Sequence, residues 1–477
     1  MELVNSDAPK VLAVDLDNSL SRTDALIEGL WSALRKNPIH FLKLVLTLRR
    51  GIACFKRRIA LETELNVSSI PFNSEVLSYI NTWKEEGGKA ILVTASDQSI
   101  ANEVGEFLGV FDQVHGSNGK ESLKGAKKAK FLCDQFGANG FAYIGDSNAD
   151  MKVWEHANLI ITVNPSRRLK NLIERRFQSI THIEENVPKW KSFLRLIRPH
   201  QWIKNGLVFV PVLAAHLNDF EASIQSAWTF VVFSVVASAI YVLNDAFDVQ
   251  HDREHPEKRN RPIASGHVQI PIGIGLSALL LIIGLTMALH VELELFWMMC
   301  LYVLLNLLYS AFFKQIVISD LVFLSVFYVL RIFAGSATSG VELSFWLIAF
   351  ASFFFFALGS LKRLSEIVLL SKAGKAKVAG RGYHASDRAI ISQMATASAF
   401  TAVAFLALYM NSENVVLNYS NPKALWALVF LLTLWFCRLI ILTNRGEAGD
   451  PWNFLMKDRA SYFYLVLGVI ITQAAAF

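Results

Sequence analysis

Cysteine is scarce in this chain. Only four occur in 477 residues, at Cys54, Cys133, Cys300 and Cys437. They are scattered and share no metal-ligand spacing, so a thiolate metal site is excluded. A disulfide framework is not expected, and a reducing, cytoplasmic side fits. The opening stretch MELVNSDAPK lacks the apolar core of a signal peptide and leads straight into a strand-like VLAVDLD. A strong charge bias is also missing. The net charge is +6, and most of that excess sits beside apolar segments. This argues for membrane orientation and against a nucleic-acid partner.

What is present is uneven. Hydrophobic residues make up 53% and the mean hydropathy is +0.37, but the averages hide two halves. Up to about Pro199 the chain reads as soluble and charged; beyond it, apolar runs of roughly bilayer-spanning length recur. So long a chain exceeds one ordinary core. The expected layout is an α/β domain over 1–185 with a small helical cap at about 25–70. A linker or interfacial segment follows at 186–200, then an all-α multi-pass membrane bundle over 201–477.

In the first part, apolar runs at 11–16, 89–94 and 140–145 end in DLDNSL, TASD and DSNAD, with helical patterns between them. Short strands alternating with helices predict a parallel sheet whose strand ends converge on one crevice. The ordered set resembles the haloacid dehalogenase superfamily of phosphohydrolases. Asp15-Leu-Asp17-Asn-Ser19 matches its first motif, Thr94 the hydroxyl motif, Lys124 the lysine position, and Asp146 and Asp150 the final acidic motif. The resemblance implies that Asp15 attacks phosphorus and Asp17 serves as acid and then base. Thr94 and Lys124 would hold phosphoryl oxygens, and Asp15, Asp17, Asp146 and Asp150 would surround Mg²⁺. The chemistry agrees, since a carboxylate nucleophile divides one hard displacement into two easier ones.

Between the first two motifs, PIHFLKLVLTLRRGIACFKRRIA interleaves aliphatic residues with Arg49, Arg50, Lys56, Arg57 and Arg58. As a helix pair it suits a membrane surface; it equally suits a cap packed on the sheet with a basic edge.

The second part carries about nine candidate spans, near 203–219, 225–243, 269–290, 294–312, 317–337, 344–361, 389–410, 423–442 and 459–477. One set of loops holds Arg253, Lys258, Arg259 and Arg261, then Lys314. Lys362, Arg363, Lys372, Lys375, Lys377, Arg381 and Arg388 follow, and then Arg438, Arg445, Lys457 and Arg459. The opposite loops hold chiefly Lys423. The positive-inside rule puts the first set in the cytoplasm, with the N-terminal domain. A bacterial inner membrane is the expected location.

At the mouth of one span, NDAFDVQHDREHPEKRNRPIASG sets Asp245, Asp248 and Asp252 at spacings of three and four. On a continuing helix these carboxylates share one face. Lys258, Arg259 and Arg261 follow. Carboxylates for a divalent cation beside cations for phosphate suggest a pyrophosphorylated substrate.

The membrane part resembles the UbiA-type intramembrane prenyltransferase superfamily. Asn244, Asp245, Asp248 and Asp252 match its first metal motif. The decaprenyl-phosphate phosphoribosyltransferase branch is the nearer match. RPHQWIKN (with Gln201, Lys204 and Asn205), NLLYSAFFK (with Tyr309 and Lys314), Asp320, Arg331, LKRLSE (with Lys362, Arg363 and Glu366) and GDPWNFLMKDR carry that likeness. These named residues are the implied substrate contacts, although Lys314, like Lys372, Lys375 and Lys377, is most simply an orientation charge. Asp320 stands alone where aromatic-prenylating members carry a second acidic motif. The resemblance implies Mg²⁺-dependent transfer of 5-phosphoribose from phosphoribosyl pyrophosphate to a polyprenyl phosphate. A phosphatase in series would then yield polyprenyl-phosphoryl ribose. Two alternatives stand beside it: a quinone-type aromatic prenyltransferase with an unrelated phosphatase, and a phosphate-sensing or scaffolding membrane protein. An oligomer is compatible with this reading.

Overall fold

Aliphatic and β-branched residues fill both faces of a buried parallel strand, and the apolar runs behave accordingly. The computed structural model describes residues 10–63, 66–118, 121–185, 188–215, 219–372, 374, 381–412, 415, 419–449, 451–455 and 457–476. Residues 1–9, Lys375, Lys377, and Asp450 and Met456 of the GDPWNFLMKDR motif lie outside them.

The strands are β1 (Val11–Val14), β2 (Lys89–Asp97), β3 (Gln113–Ser117), β4 (Ala142–Gly145), β5 (Leu159–Val163) and β6 (Ile180–Ile183). They form one sheet in the order β3-β2-β1-β4-β5-β6, every pair parallel. Leu12, Val14, Leu92 and Ile144 enter the core on one face; Ala13, Ile91, Val93 and Tyr143 enter the core on the other. The strand order reverses at β1, so the carboxyl ends of β1, β2 and β4 meet where open α/β sheets place their sites.

The cap region holds three helices, Ala25–Lys36, Pro38–Leu46 and Ile52–Glu62. Asp24 caps the first by accepting from Leu26 N–H and Ile27 N–H; Asn37 caps the second in the same way. Gly51, at φ +105°, turns the chain into the third.

The chain divides into two compact units. One is 1–196 with 245–274; the other is 197–244 with 275–477. The acid-rich loop therefore groups with the sheet, which a single boundary near residue 200 does not anticipate.

Among the described residues, seven helices are long and apolar enough to cross a membrane: Phe220–Phe247, Ile270–Val291, Leu293–Ala311, Ser319–Ser339, Phe345–Lys372, Ala385–Met410 and Pro422–Arg445. The protein is an integral membrane protein. The last expected span is the apolar helix Arg459–Ala476, of 18 residues. One expected span differs. The first, expected at 203–219, is a 3₁₀ run, Pro199–Phe209, followed by the short helix Val210–Ala214. Pro211 donates no N–H. Side chains also hold the 3₁₀ run in place: Trp202 Nε1–H donates to Ser238 Oγ at 2.9 Å and Asn205 Nδ2–H to Ser234 Oγ at 3.0 Å. Gly335 lets the helix Ser319–Ser339 pass against this run, because a Cβ there would strike the Val208 carbonyl.

Candidate functional site

The first constellation grows from the end of β1. Asp15 N–H donates to Ile144 O at 3.1 Å, tying β1 to β4. The Asp15 carboxylate accepts from Leu16 N–H at 2.8 Å. Beyond it the chain coils tightly over Leu16–Leu20, with Asn18 at φ +56°. That coil turns Asp17 so that one oxygen accepts from Ala25 N–H at 2.9 Å and the other from Ser96 Oγ–H at 2.7 Å. Thr94 is buried within β2, where its hydroxyl accepts from Ser96 N–H at 3.0 Å.

Across the crevice, Asp150 is buried and accepts from Tyr143 Oη–H at 2.8 Å and from Ser147 N–H and Oγ–H at 3.1 and 2.9 Å. Gly145 has no Cβ because one would meet the Asp150 carboxyl at 2.8 Å. Asp15, Asp146 and Asp150 each offer an oxygen within 4.8 Å of the others. Burial, then Asp150 and Asp15, push Asp146 up to about 8. Burial, then Asp24, push Asp17 up to about 6. Burial is also the main cause that raises Asp15, against Lys128. Crowding of three carboxylates is what a hard divalent cation relieves, and an all-oxygen set suits Mg²⁺. Asp17 is not among the three.

The lysine beside Asp15 is Lys128, not Lys124. Lys128 Nζ lies 2.9 Å from Asp15 Oδ1 and donates to Tyr143 Oη at 2.8 Å. The helix Ala126–Phe136 buries Lys128 with Ala129 and Leu132, whereas Lys124 precedes it and is exposed. Helix phase decides which lysine of LKGAKKAKFL faces the site. The one available signal was that Lys128 shares a helical stripe with Leu132.

The second constellation is the acid-rich loop. The helix carrying Asp245 ends at Phe247; Asp248 interrupts it, and a second helix runs Val249–Glu254. Asp252 N–H donates to Asp248 O at 2.9 Å, but Asp245, Asp248 and Asp252 do not form a three-acid cluster among the described residues. Arg261 Nη1 lies 3.1 Å from Asp245 and 2.6 Å from Asp252, and both carboxylates are buried. Burial raises Asp252, and Arg261 opposes the rise. A guanidinium bridging two buried carboxylates marks a place built for positive charge, which a divalent cation fits. Lys258 and Arg259 are exposed on the following 3₁₀ turn.

Sequence reasoning missed what holds this loop. Arg253 pairs with Glu28 through two bonds, at 3.1 and 2.6 Å, with both side chains buried. Trp31 Nε1–H donates to Ala246 O at 2.6 Å, and Gln269 Nε2–H donates to Asn18 Oδ1 at 2.7 Å. Removing one partner of a buried pair strands the other charge, at a cost of about 3–5 kcal/mol. Glu28→Gln is therefore expected to speed amide hydrogen exchange across 245–274 and lower the melting temperature, while the double variant Glu28→Leu/Arg253→Met recovers most of the loss. Unchanged exchange in Glu28→Gln would count against this clamp.

The third constellation lies in the membrane unit. Asp320 is fully buried and receives Arg363 Nε–H at 2.5 Å, Tyr383 Oη–H at 2.5 Å and Arg381 Nη1–H at 3.4 Å. Arg363 Nη1–H also donates to Glu366 at 2.6 Å, and Arg381 Nη1–H to Tyr309 Oη at 3.4 Å. Burial, then the bond to Asp320, raise the Tyr383 phenol, so it stays a donor. Asp320 is thus enclosed by donors and shares Arg363 and Arg381 with Glu366; it joins no three-acid cluster among the described residues. Arg363 is buried, yet its Nη2 has no hydrogen-bond partner among the described residues.

Arg331 belongs to a separate interior network. Its Nε–H donates to Asn205 at 2.9 Å and it also reaches Tyr302 and the Phe327 carbonyl. Its guanidinium lies over the Phe233 ring at 4.9 Å. These contacts assign Arg331 and Asn205 to packing the 3₁₀ run against the helix rather than to an open surface. Asn244 accepts from Ser310 Oγ–H at 2.8 Å. Gln201, Lys204, Lys314 and Lys362 are half-buried.

The UbiA prenyltransferase family profile matches residues 207–465. The uncharacterized protein y4nM of Sinorhizobium fredii is 31% identical over 467 residues, covering 97% of this chain and 90% of its own length. Decaprenyl-phosphate phosphoribosyltransferase of Corynebacterium glutamicum is 30% identical over 295 residues, 59% of this chain and 87% of that one. A solved UbiA homologue from Archaeoglobus fulgidus bound to DMAPP and Mg²⁺ covers 59% of this chain and 98% of its own, at 14% identity and a TM-score of 0.45.

Proposed function

Because the chain belongs to the UbiA prenyltransferase family, we propose that it is a polyprenyl-phosphate phosphoribosyltransferase with a second, hydrolytic site at Asp15. It takes 5-phosphoribose from phosphoribosyl pyrophosphate, passes it to a polyprenyl phosphate, and then removes the 5-phosphate. The observation that carries this reading is the environment of Asp320, held by Arg363, Arg381 and Tyr383. Glu366 stands beside Asp320, and Arg363 and Arg381 pair with both acids, so the two carboxylates already have cationic partners. Arg363 Nη2, which has no hydrogen-bond partner among the described residues, supports a phosphate anion as the ligand there. The C. glutamicum relative's name agrees with it.

In the transfer step, an oxygen of the lipid phosphate bonds to ribose C1 as the C1–O bond to pyrophosphate breaks. Asp245, Asp248 and Asp252 would hold Mg²⁺, which supplies charge neutralisation for the pyrophosphate. Lys204, Lys258, Arg259 and Arg261 suit the pyrophosphate and the 5-phosphate, and Arg363 and Arg381 the lipid phosphate. In the hydrolytic step, an Asp15 oxygen bonds to phosphorus and the ribose 5-oxygen leaves, taking its proton from Asp17. Water then attacks the aspartyl-phosphate, giving its proton to Asp17 and releasing phosphate. Lys128 offsets charge on Asp15, and Asp15, Asp146 and Asp150 would hold the Mg²⁺ of this site. The basic loops support a cytoplasmic placement of both sites in an inner membrane.

Purified protein in detergent, given phosphoribosyl pyrophosphate, a polyprenyl phosphate and Mg²⁺, is expected to form a phosphoribosylated lipid detectable by mass spectrometry. Product only with a prenyl pyrophosphate and hydroxybenzoate would transfer the assignment to the quinone-type reaction. Lys128→Met is expected to slow hydrolysis of a simple phosphate ester by roughly a hundredfold or more, as losing one charge-stabilising donor does. Lys124→Met should stay within about twofold of wild type, as exposed positions do. Equal losses would remove the special role of Lys128.

A further inference from the structure

The helix Pro38–Leu46 presents an apolar face outward. Ile39, Leu42 and Leu46, at helical spacings of three and four, are 69%, 62% and 58% exposed. The helix is nevertheless docked, since Leu44 from its other side is buried, as are Phe55 and Ile59 of the next helix. Leu48 and Leu61 of the same region are also exposed. Around them stand the exposed cations Lys43, Arg49, Arg57 and Arg58, with Glu62 engaged by His40 and Arg58. A soluble surface helix would put charge where these aliphatic residues lie.

A second helix of the same unit repeats the pattern independently. Lys189–Ile197 exposes Trp190, Phe193 and Leu194 between Lys191 and Arg195, while Ser192 and Leu196 are buried. Aromatic and aliphatic residues interleaved with lysine and arginine have the composition of an interfacial helix. Residue 197 continues directly into the membrane unit, so this unit is tethered to a bilayer and cannot diffuse away from it.

We infer that the outer face of Pro38–Leu46 lies in the headgroup boundary of the bilayer, with its basic neighbours on anionic lipid. The occupant of this surface is lipid. The adjoining helix Ile52–Glu62 carries Lys56, whose Nζ–H donates to Ala95 O at 3.0 Å. The next residue, Ser96, is the hydroxyl bonded to Asp17. One helix therefore links the lipid face to the rim of the hydrolytic site. Resting on the hydrolytic reading above, this makes the substrate of that site a phosphate displayed at a membrane surface.

The test uses the full chain in nanodiscs containing phosphatidylglycerol, with the photoreactive p-benzoylphenylalanine in place of Leu42 or, as control, of the exposed Glu103. Irradiation is expected to give lipid adducts at 42 and none above background at 103. Equal yields at the two positions, or adducts at 42 to a second protein chain, would overturn the assignment. In parallel, Ile39→Ser/Leu42→Ser/Leu46→Ser should keep hydrolysis of a soluble phosphate ester. It should lose roughly tenfold or more on a bilayer-held polyprenyl phosphoribose 5-phosphate. Unchanged rates on both substrates would overturn the substrate class. A wild type inactive on both would refute hydrolysis itself, leaving the photoadducts to decide the lipid contact.

Discussion

Arg363→Met is expected to destabilise the membrane unit by about 3–5 kcal/mol and to abolish transfer, because it leaves the Asp320 carboxylate buried with its main counter-charge gone. Asp320 keeps Tyr383 and the more distant Arg381 at 3.4 Å, which cannot replace a bond of 2.5 Å to a buried guanidinium. Asp320→Leu alone should be comparably harmful, since it strands Arg363. The double variant Asp320→Leu/Arg363→Met should regain most of the thermal stability, as buried pairs replaced by apolar residues commonly do. It should regain none of the transferase activity, because the group proposed to hold the lipid phosphate is missing. Thermal unfolding in detergent separates the two effects. A double variant that transfers at the wild-type rate would show that Arg363 is architectural only.

Asp15→Asn is expected to lower 5-phosphate removal by about a thousandfold or more, the scale for loss of a nucleophile, while transfer continues. The lipid product should then accumulate as the 5-phosphate and differ from the wild-type product by one phosphoryl group in the mass spectrum. Asparagine is close in size to aspartate and can still accept from Leu16 N–H, so β1 and its coil should persist. The charge that pairs with Lys128 at 2.9 Å is lost, and some stability goes with it. If wild type and Asp15→Asn both stop at the 5-phosphate, the two activities do not run in series. If both give the dephosphorylated lipid, Asp15 is not the nucleophile.

Much of the fold is legible in the sequence. The apolar runs located β1, β2 and β4, and the acids following β1 and β4 are the residues that meet in the crevice. Long apolar segments located all seven membrane-length helices. The run at 203–219 misled, because composition alone does not register Pro211 or the bonds from Trp202 and Asn205 that keep it out of one long helix. The loop 245–274 misled differently: its neighbours in the chain are membrane helices, yet it packs with the sheet unit.

By itself, then, the sequence determined the strands, the membrane helices and the identities of the acidic groups. These follow from local periodicity and from the cost of placing charge in apolar surroundings. Tertiary structure alone decided which partner each charge takes. Lys128 rather than Lys124 meets Asp15 because a helix turns it inward. Glu28 finds Arg253 across 225 residues. Asp320, Arg363 and Arg381 converge from three separated segments. A buried charge is tolerated only where a counter-charge is brought to it, and chain folding, not proximity in sequence, supplies that partner.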